Sequence, residues 1–198
     1  MEKSTEKKIK NKISKAKAGS IFFMKDFADA GNPGAVKTAL HRAEKRGLIK
    51  RLARGIYAKP KESRLVGEVL PAVEEIAKAI AARDKARIIP TGAYALNALG
   101  LSTQIPLKIV YLTDGSPRII TIGKRSIKFK KTTPKMLAVK GEISMLVIQA
   151  LKAIGKGKTT KEEENKIITF LKKEDRSRLR HDIALAPQWI AEIMVKAL

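Results

Sequence analysis

The residues that could carry out catalytic or metal chemistry are few, and their spacing does not assemble a site. The chain has two histidines, His41 and His181, and no cysteine, so thiolate metal sites and disulfides are excluded. The segment "GKGKTT" at residues 155–160 ends like a phosphate-binding loop, but Lys152 stands where that motif needs its first glycine. "DGS" at residues 114–116 is typical of a turn. The sequence therefore predicts no enzyme, no metal site and no cofactor.

The charge balance indicates a polyanionic partner instead. The 198 residues carry 42 Lys and Arg against 19 Asp and Glu, a formal net charge of +23. The positive electrostatic field of such a chain favours nucleic acid as the partner, although a membrane surface or an acidic protein could also bind it. Residues 1–62 hold 17 of the basic residues and 6 of the acidic ones, so this third is about twice as positively dense as the rest.

Hydrophobic residues make up 44% of the sequence, which is typical of a globular protein. No uninterrupted apolar run approaches the roughly 20 residues of a membrane span. The N-terminus is polar and rich in lysine, without the apolar stretch of a secretory signal. We therefore expect a soluble, cytoplasmic protein with no membrane partner.

Residues 32–60, "NPGAVKTALHRAEKRGLIKRLARGIYAKP", contain the elements that would meet the polyanion. Asn32 can cap a helix through its side-chain oxygen, and Pro33 suits the first helical position. Gly47 suits the left-handed residue that ends a helix. The apolar residues of this helix fall on one stripe, and the opposite face contains no acid. That face carries Gly34, Thr38, His41 and Lys45, flanked by Lys37 and Arg42.

A basic hairpin is predicted directly after this helix. Residues 48–52 and 56–58 have the pattern of two strands, and Gly55 can take the positive φ of the turn between them. A short amphipathic helix at residues 24–31 precedes the longer one, which gives the order of a winged helix-turn-helix. The predicted DNA-binding residues are Lys37, Thr38, His41, Arg42, Lys45, Lys50, Arg51 and Arg54. The alternatives are RNA binding, a protein-binding winged helix and an ordinary solvated basic face.

The remainder of the sequence predicts a mixed domain. Residues 71–86 have helical periodicity, residues 107–132 read as a three-strand meander, and four helices follow after residue 140. The predicted fold class is α+β: an N-terminal winged helix-turn-helix followed by a mixed domain with a small antiparallel sheet and several helices. The predicted domains are residues 1–62, with a basic N-terminal helix, and residues 63–198.

The second domain resembles a known family. The run "IPTGAYALNALGLSTQIPLKIVYLTDGSPRIITIGKRSIKF" at residues 89–129 is similar to the central domain of AbiE-type antitoxins. These AbiEi-like proteins are the antitoxin halves of bacterial type IV toxin–antitoxin pairs that cause abortive phage infection. "ARGIYAKP" at residues 53–60 resembles the end of their winged helix, and "DRSRLRHDIALAPQWIAEIM" at residues 175–194 resembles their C-terminal helices.

The resemblance implies two functions. The first is repression through the winged helix, which binds inverted repeats in double-stranded DNA upstream of the protein's own operon, with a dimer formed on the DNA. The second is neutralisation of a nucleotidyltransferase-like toxin encoded next door, without a stable complex. It implies that Lys37, Thr38, His41, Arg42 and Lys45 lie on the reading helix and Arg54 at the wing tip, while the choice of side chains comes from helical periodicity.

Two other functions stay open from the sequence. One is a winged-helix transcriptional regulator whose C-terminal domain senses a small ligand, which would need an apolar pocket with converging polar groups. The other is an RNA-binding module without sequence preference, which would bind structured RNA at least as well as DNA.

Overall fold

The computed structural model describes residues 4–63, 65 and 67–198. The chain divides into two compact units, Met1–Ile80 and Ala81–Leu198. This division lies inside helix α3 (Val73–Arg83), whereas the sequence places a domain boundary between residues 62 and 63. The functional boundary at that earlier position stays a prediction.

The N-terminal unit combines helices with two small antiparallel sheets. Strand order in the larger sheet is β1-β3-β2, and β4 pairs with β5. In chain order the elements are helix α1 (Thr5–Lys15), strand β1 (Ile21–Phe23), a 3₁₀ helix (Met24–Ala30), helix α2 (Pro33–Lys45), and strands β2 (Lys50–Ala53), β3 (Ile56–Ala58), β4 (Lys61–Ser63) and β5 (Gly67–Val69).

Helix α2 begins and ends where the sequence predicts. The side-chain Oδ1 of Asn32 accepts a hydrogen bond from the backbone N–H of Ala35 at 2.8 Å, so it satisfies a donor that the first turn leaves free. Pro33 occupies the first helical position. Gly47 follows the helix with φ +72°, a conformation that glycine adopts without steric cost.

The segment before α2 departs from the predicted regular helix. Residues 24–30 form a 3₁₀ helix with a kink at Phe27, whose φ of −113° is not helical. The Asp26 carboxylate accepts the backbone N–H of Phe23 at 2.7 Å and so stabilises its first turn. The ring of Phe27 is fully buried. The core of the unit lies among Ile9, Ile13, Phe22, Phe27, Ala30, Val36, Ala39, Leu40, Ala43, Ile49 and Tyr57.

The predicted basic hairpin is present. Strands β2 and β3 are antiparallel, with Arg51 paired to Tyr57. Gly55 has φ +72° in the turn between them. The register shifts between Arg51 and Ala53, which indicates a bulge in β2 and bends this strand.

The C-terminal unit contains one sheet and a larger set of helices. Its elements after α3 are β6 (Ile88–Pro90), α4 (Ala93–Ala98), β7 (Lys108–Thr113), β8 (Arg118–Ile122), β9 (Arg125–Lys131), α5 (Pro134–Leu137), α6 (Glu142–Ile154), α7 (Lys161–Leu171), α8 (Arg176–Leu185) and α9 (Gln188–Val195). The four helices predicted after residue 140 correspond to α6, α7, α8 and α9.

The predicted three-strand meander is wrong in its strand order. The sheet runs β6-β7-β9-β8, so β9 lies between β7 and β8 and is parallel to β7. In this register the buried Ile109 pairs with the buried Ile127. Tyr111 pairs with Phe129, and their rings stack with centroids 6.1 Å apart. A meander would instead have put β8, which has no fully buried residue, at the centre of the sheet.

Two carboxylates fix the start of α6. Both oxygens of Asp182 accept backbone N–H groups, from Lys140 at 2.9 Å and from Gly141 at 2.7 Å. Glu174 Oε2 accepts the backbone N–H of Ile143 at 2.8 Å. The orphan donors of the helix N-terminus are therefore satisfied from later parts of the chain.

The α+β class is confirmed, with small sheets and several helices. The helical core of the C-terminal unit contains buried residues of α4, α6, α7, α8 and α9, and Trp189 packs against it half-buried. Among the described residues, no helix has both the length and the apolar character that are needed to cross a membrane.

Candidate nucleic-acid interface

The predicted DNA-binding residues lie on α2 and on the β2–β3 hairpin. Each of them is exposed to solvent, and those on α2 lie opposite its buried stripe. The exposed set is Lys37, Thr38, His41, Arg42, Lys45, Lys50, Arg51 and Arg54.

Half of these residues are brought together in one cleft between α2 and the hairpin. The cleft has a volume of about 530 Å³. It is lined by Gly34, Lys37, Thr38, His41, Glu44, Arg51 and Tyr57. Helical spacing places the first four of these on one face of α2, and the hairpin supplies Arg51 and Tyr57. A concave surface with cations on both walls can hold a phosphate group.

Tyr57 belongs to the cleft, although the sequence analysis does not select it. Burial raises the pKa of its hydroxyl; the nearby Glu44 acts in the same direction, and Arg51 opposes them. The phenol therefore stays protonated at neutral pH and can donate a hydrogen bond. Its position beside Arg51 follows from the hairpin register, which a strand pattern alone does not fix.

His41 and Glu44 are neighbours on the rim of this cleft. The His41 Nδ1 lies 3.8 Å from Glu44 Oε2, which is longer than a hydrogen bond. The imidazole is 63% exposed. Its ring nitrogens are therefore available to an external hydrogen-bond partner.

Arg42 points away from the cleft and is already paired. Its Nη1 donates to Glu6 Oε2 at 2.9 Å, and Arg46 Nη1 donates to the other oxygen of Glu6 at 2.6 Å. Hydrogen bonds from the two guanidinium groups lower the pKa of Glu6. Helical periodicity selects Arg42 but neither Arg46 nor Glu6, since nothing in the local pattern indicates an ion pair between α1 and α2.

The remaining predicted basic residues differ in whether they have a partner. Lys50 Nζ lies 3.3 Å from Glu68 Oε2 on β5. Four others make no ion pair with any residue that the structure describes: Lys37, Lys45, Arg51 and Arg54.

Helix α1 is held in place by Lys59, which no local sequence pattern singles out. Lys59 Nζ donates to the carbonyl oxygens of Ile13, Ser14 and Ala16 at 3.1, 3.0 and 2.8 Å. A cation at the C-terminal end of a helix also interacts favourably with the helix dipole. Through this contact the end of the hairpin positions α1, which in turn presents Glu6 to α2.

The comparison with known families identifies the family of this chain. The sequence model described as "Family of unknown function (DUF6088)" matches residues 8–179, which is more than half of the chain. The chain belongs to the DUF6088 family. The comparison with curated proteins gives no match.

In this DUF6088 chain the cleft is lined by the cations Lys37 and Arg51, and the ranges that the structure describes hold no group of three or more His, Cys, Asp or Glu residues that could bind a metal ion. The two histidines lie on different helices, His41 on α2 and His181 on α8. His181 Nδ1 is 2.8 Å from Oδ1 of the fully buried Asp182. The carboxylate of Asp182 already accepts backbone N–H groups at the start of α6. The cleft between α2 and the hairpin is therefore the best candidate for an external ligand.

Proposed function

We propose that this protein is a sequence-specific DNA-binding repressor whose N-terminal unit is a winged helix-turn-helix. The proposal is supported by the order of helix, strand, 3₁₀ helix, helix and hairpin, with strand order β1-β3-β2. In this reading α2 enters the major groove, and the β2–β3 hairpin follows the phosphate backbone.

The observation that carries the proposal is the character of the α2 face. Lys37, Thr38 and His41 lie on one exposed face of a helix, and the basic hairpin provides Arg51 across the cleft. Hydroxyl and imidazole groups can reach base edges, while lysine and arginine can contact phosphate or guanine. A face that served only solubility would not need these groups to converge.

The resemblance to AbiE-type antitoxins extends the proposal to the whole chain. By this analogy the protein represses its own operon from inverted repeats, with a dimer formed on the DNA in the cytoplasm. It would also neutralise a nucleotidyltransferase-like toxin without forming a stable complex. No catalytic activity of its own is part of this proposal.

The experiment that tests DNA reading compares two duplexes across a salt titration. The full chain is titrated onto its own upstream DNA and onto a shuffled duplex of the same composition. A preference of roughly a hundredfold or more that persists at about 150 mM salt is expected for a sequence-specific repressor. Six phosphate contacts would lower affinity by a factor on the order of a thousand between 50 and 200 mM salt.

Equal binding to both duplexes, lost together as salt rises, would contradict sequence-specific reading. A structured RNA of similar length serves as a third arm. If it binds at least as well as the upstream duplex, the RNA-binding alternative is preferred.

The antitoxin function is tested separately by co-expression with a nucleotidyltransferase-like toxin encoded next to this gene. Restored growth supports neutralisation. A variant that has lost DNA binding should still restore growth, because neutralisation is assigned to the C-terminal domain by analogy. Failure of the wild-type chain to restore growth would leave only the repressor.

A further inference from the structure

A second basic surface lies on the sheet of the C-terminal unit. Residues 107–132 contain seven Lys and Arg and a single acid, Asp114. That acid is paired, because it accepts hydrogen bonds from the backbone N–H and the Nε of Arg87 at 2.8 and 3.3 Å. Arg118 pairs with Asp84, and the other six cations of this run make no ion pair with any residue that the structure describes, so the sheet presents uncompensated positive charge.

The strand register shows which side chains share the exposed face. Ile127 and Phe129 of β9 are buried, so the residues that alternate with them, Lys128 and Lys130, point to the opposite face and are exposed. Ile119 of β8 pairs with Lys128 and is itself 64% exposed. We call this the outer sheet face; its charged members are Lys108, Lys128 and Lys130, and Ile119 lies beside Lys128.

Strand β8 also forms an edge of the sheet. It is the last strand in the order β6-β7-β9-β8, so one row of its backbone N–H and C=O groups has no strand partner within the part of the chain that the structure describes. An open edge is a template for an added strand. Ile119, the second residue of this edge strand, is exposed and would contact the side chains of such a strand.

We propose that the β8 edge and the outer sheet face bind an extended acidic segment of a partner protein. The partner backbone would pair with β8, and its side chains would alternate between the two faces of the sheet. Its acidic side chains would lie on the outer sheet face, beside Ile119 and directed toward Lys128, and its apolar side chains would lie on the other face, beside the half-buried Ile120 and Ile122. This interaction is independent of DNA reading, since it uses the C-terminal unit and a different class of partner.

The charge distribution favours an acidic polypeptide over a second copy of this chain. Two copies of a chain with a formal net charge of +23 repel each other, which opposes joining them through β8. The lysines that β7 and β9 present on the outer sheet face would instead attract an acidic strand.

The side chains also favour a polypeptide over a nucleic acid. Single-stranded nucleic acids typically stack their bases on exposed aromatic rings. The aromatic side chains of this sheet, Tyr111 and Phe129, are buried on the other face, and the exposed apolar group is the aliphatic Ile119. A nucleic acid would use neither Ile119 nor the free backbone edge.

The test titrates the full-length protein with a short capped peptide that alternates Glu and Val. Hydrogen exchange of the β8 amides is the readout, because an added strand protects the amides along the edge. A second peptide has the same sequence with alternate amides N-methylated, which keeps the charge and prevents strand pairing. A single-stranded DNA of equal charge is the third ligand.

We expect the first peptide to protect the β8 amides from hydrogen exchange. We expect the N-methylated peptide to bind about tenfold or more weakly than the first peptide. Equal affinity for both peptides would overturn the proposal, as would no binding of the first peptide. Protection of the β8 amides by the DNA would also overturn it and would assign the surface to nucleic acid.

A matched pair of charge reversals locates the interaction. Lys128→Glu is expected to lower the affinity for the first peptide by about tenfold, since it replaces an attraction by a repulsion. Lys166→Glu makes the same change at an exposed lysine of α7 and is expected to change the affinity less than about twofold. Equal losses in the two variants would show that net charge alone is responsible and would overturn the proposal.

Discussion

Charged side chains are used in opposite ways at two places, the α2 surface of the N-terminal unit and the start of α6 in the C-terminal unit. In the N-terminal unit the cations of α2 and the hairpin are exposed, and four of the predicted DNA contacts have no ion-pair partner in the described residues. In the C-terminal unit Asp182 is fully buried, and both of its oxygens accept backbone N–H groups at the start of α6. The cations of the first set are available to a ligand, whereas the carboxylate of Asp182 already accepts hydrogen bonds within the fold.

This difference separates residues for binding from residues for stability. An exposed cation without a partner contributes little to the folded state, so its substitution changes affinity and leaves stability almost unchanged. A buried carboxylate with several donors has the opposite effect, because its removal leaves those donors unsatisfied. Substitutions in the two units should therefore be separable by experiment.

The largest expected effect comes from Asp182→Ala. It leaves the buried backbone N–H of Gly141 and the partly buried N–H of Lys140 without an acceptor, and an unsatisfied buried donor costs about 1–3 kcal/mol. We expect the free energy of unfolding of the C-terminal unit to fall by about 3 kcal/mol. Urea unfolding followed by the fluorescence of Trp189 measures it, since the single tryptophan packs against the core of this unit.

Asp175→Ala is the matched control for this substitution. Asp175 caps α8 by accepting the backbone N–H of Arg178 at 2.9 Å, but it is exposed. Loss of an exposed cap is expected to cost about 1 kcal/mol. If the two alanine variants were equally stable, the buried carboxylate would not hold α6 as described.

The next effect tests whether the α2 face reads sequence. Thr38→Ala and His41→Ala are each expected to lower affinity for the upstream duplex by about tenfold and to leave the shuffled duplex almost unchanged, because a lost base contact costs about 1–3 kcal/mol of discrimination. Fluorescence anisotropy with both duplexes measures this, and the melting temperature should not change. Equal loss on both duplexes would remove these two residues from base reading.

A smaller and sequence-independent effect is expected at the hairpin tip. Arg54→Ala removes a cation without a described partner from the turn between β2 and β3. If it contacts phosphate, affinity falls by several-fold on every duplex, and the slope of log affinity against log salt decreases by about one. A loss confined to the upstream duplex would instead assign Arg54 to base reading.

Local signals in the sequence predict much of the fold. Asn32, Pro33 and Gly47 each act at the backbone position that they occupy, so the bounds of α2 can be read from them. The glycine turn of the basic hairpin and the helical periodicity after residue 140 are local in the same sense. These features need no knowledge of distant contacts.

The features that the sequence does not predict depend on residues far apart in the chain. The position of β9 between β7 and β8 is set by the burial of side chains from both strands, which alternation within one strand cannot show. The cap of α6 joins Gly141 to Asp182, and the ion pair of Arg42 joins α2 to Glu6. The candidate contacts on α2 could be found from helical periodicity, but not which of them already has a partner.

The smallest expected effect comes from the ion pair of Glu6 with Arg42 and Arg46. It sharpens the comparison between cations that are free and cations that already have an ion-pair partner. Glu6 holds Arg42 and Arg46, two cations that would otherwise add to the α2 surface. Glu6→Gln is expected to release them and to raise affinity for any duplex by about two- to threefold at low salt, with a steeper salt dependence. Fluorescence anisotropy over a salt series measures both quantities.

Glu62→Gln is the matched control, because it removes the same charge from an exposed position on β4. If both variants gain the same DNA affinity, the gain reflects the change in net charge and not release of the two arginines.

A pH series gives an independent check. The guanidinium groups lower the pKa of Glu6, so its contribution to stability is present above the unfolded pKa and is lost as the pH falls through the lowered folded value. Stability of Glu6→Gln should therefore depend less on pH in acid than that of the wild type. An identical acid dependence would mean that the ion pair adds nothing in solution, and that Arg42 already belongs with the free cations of α2.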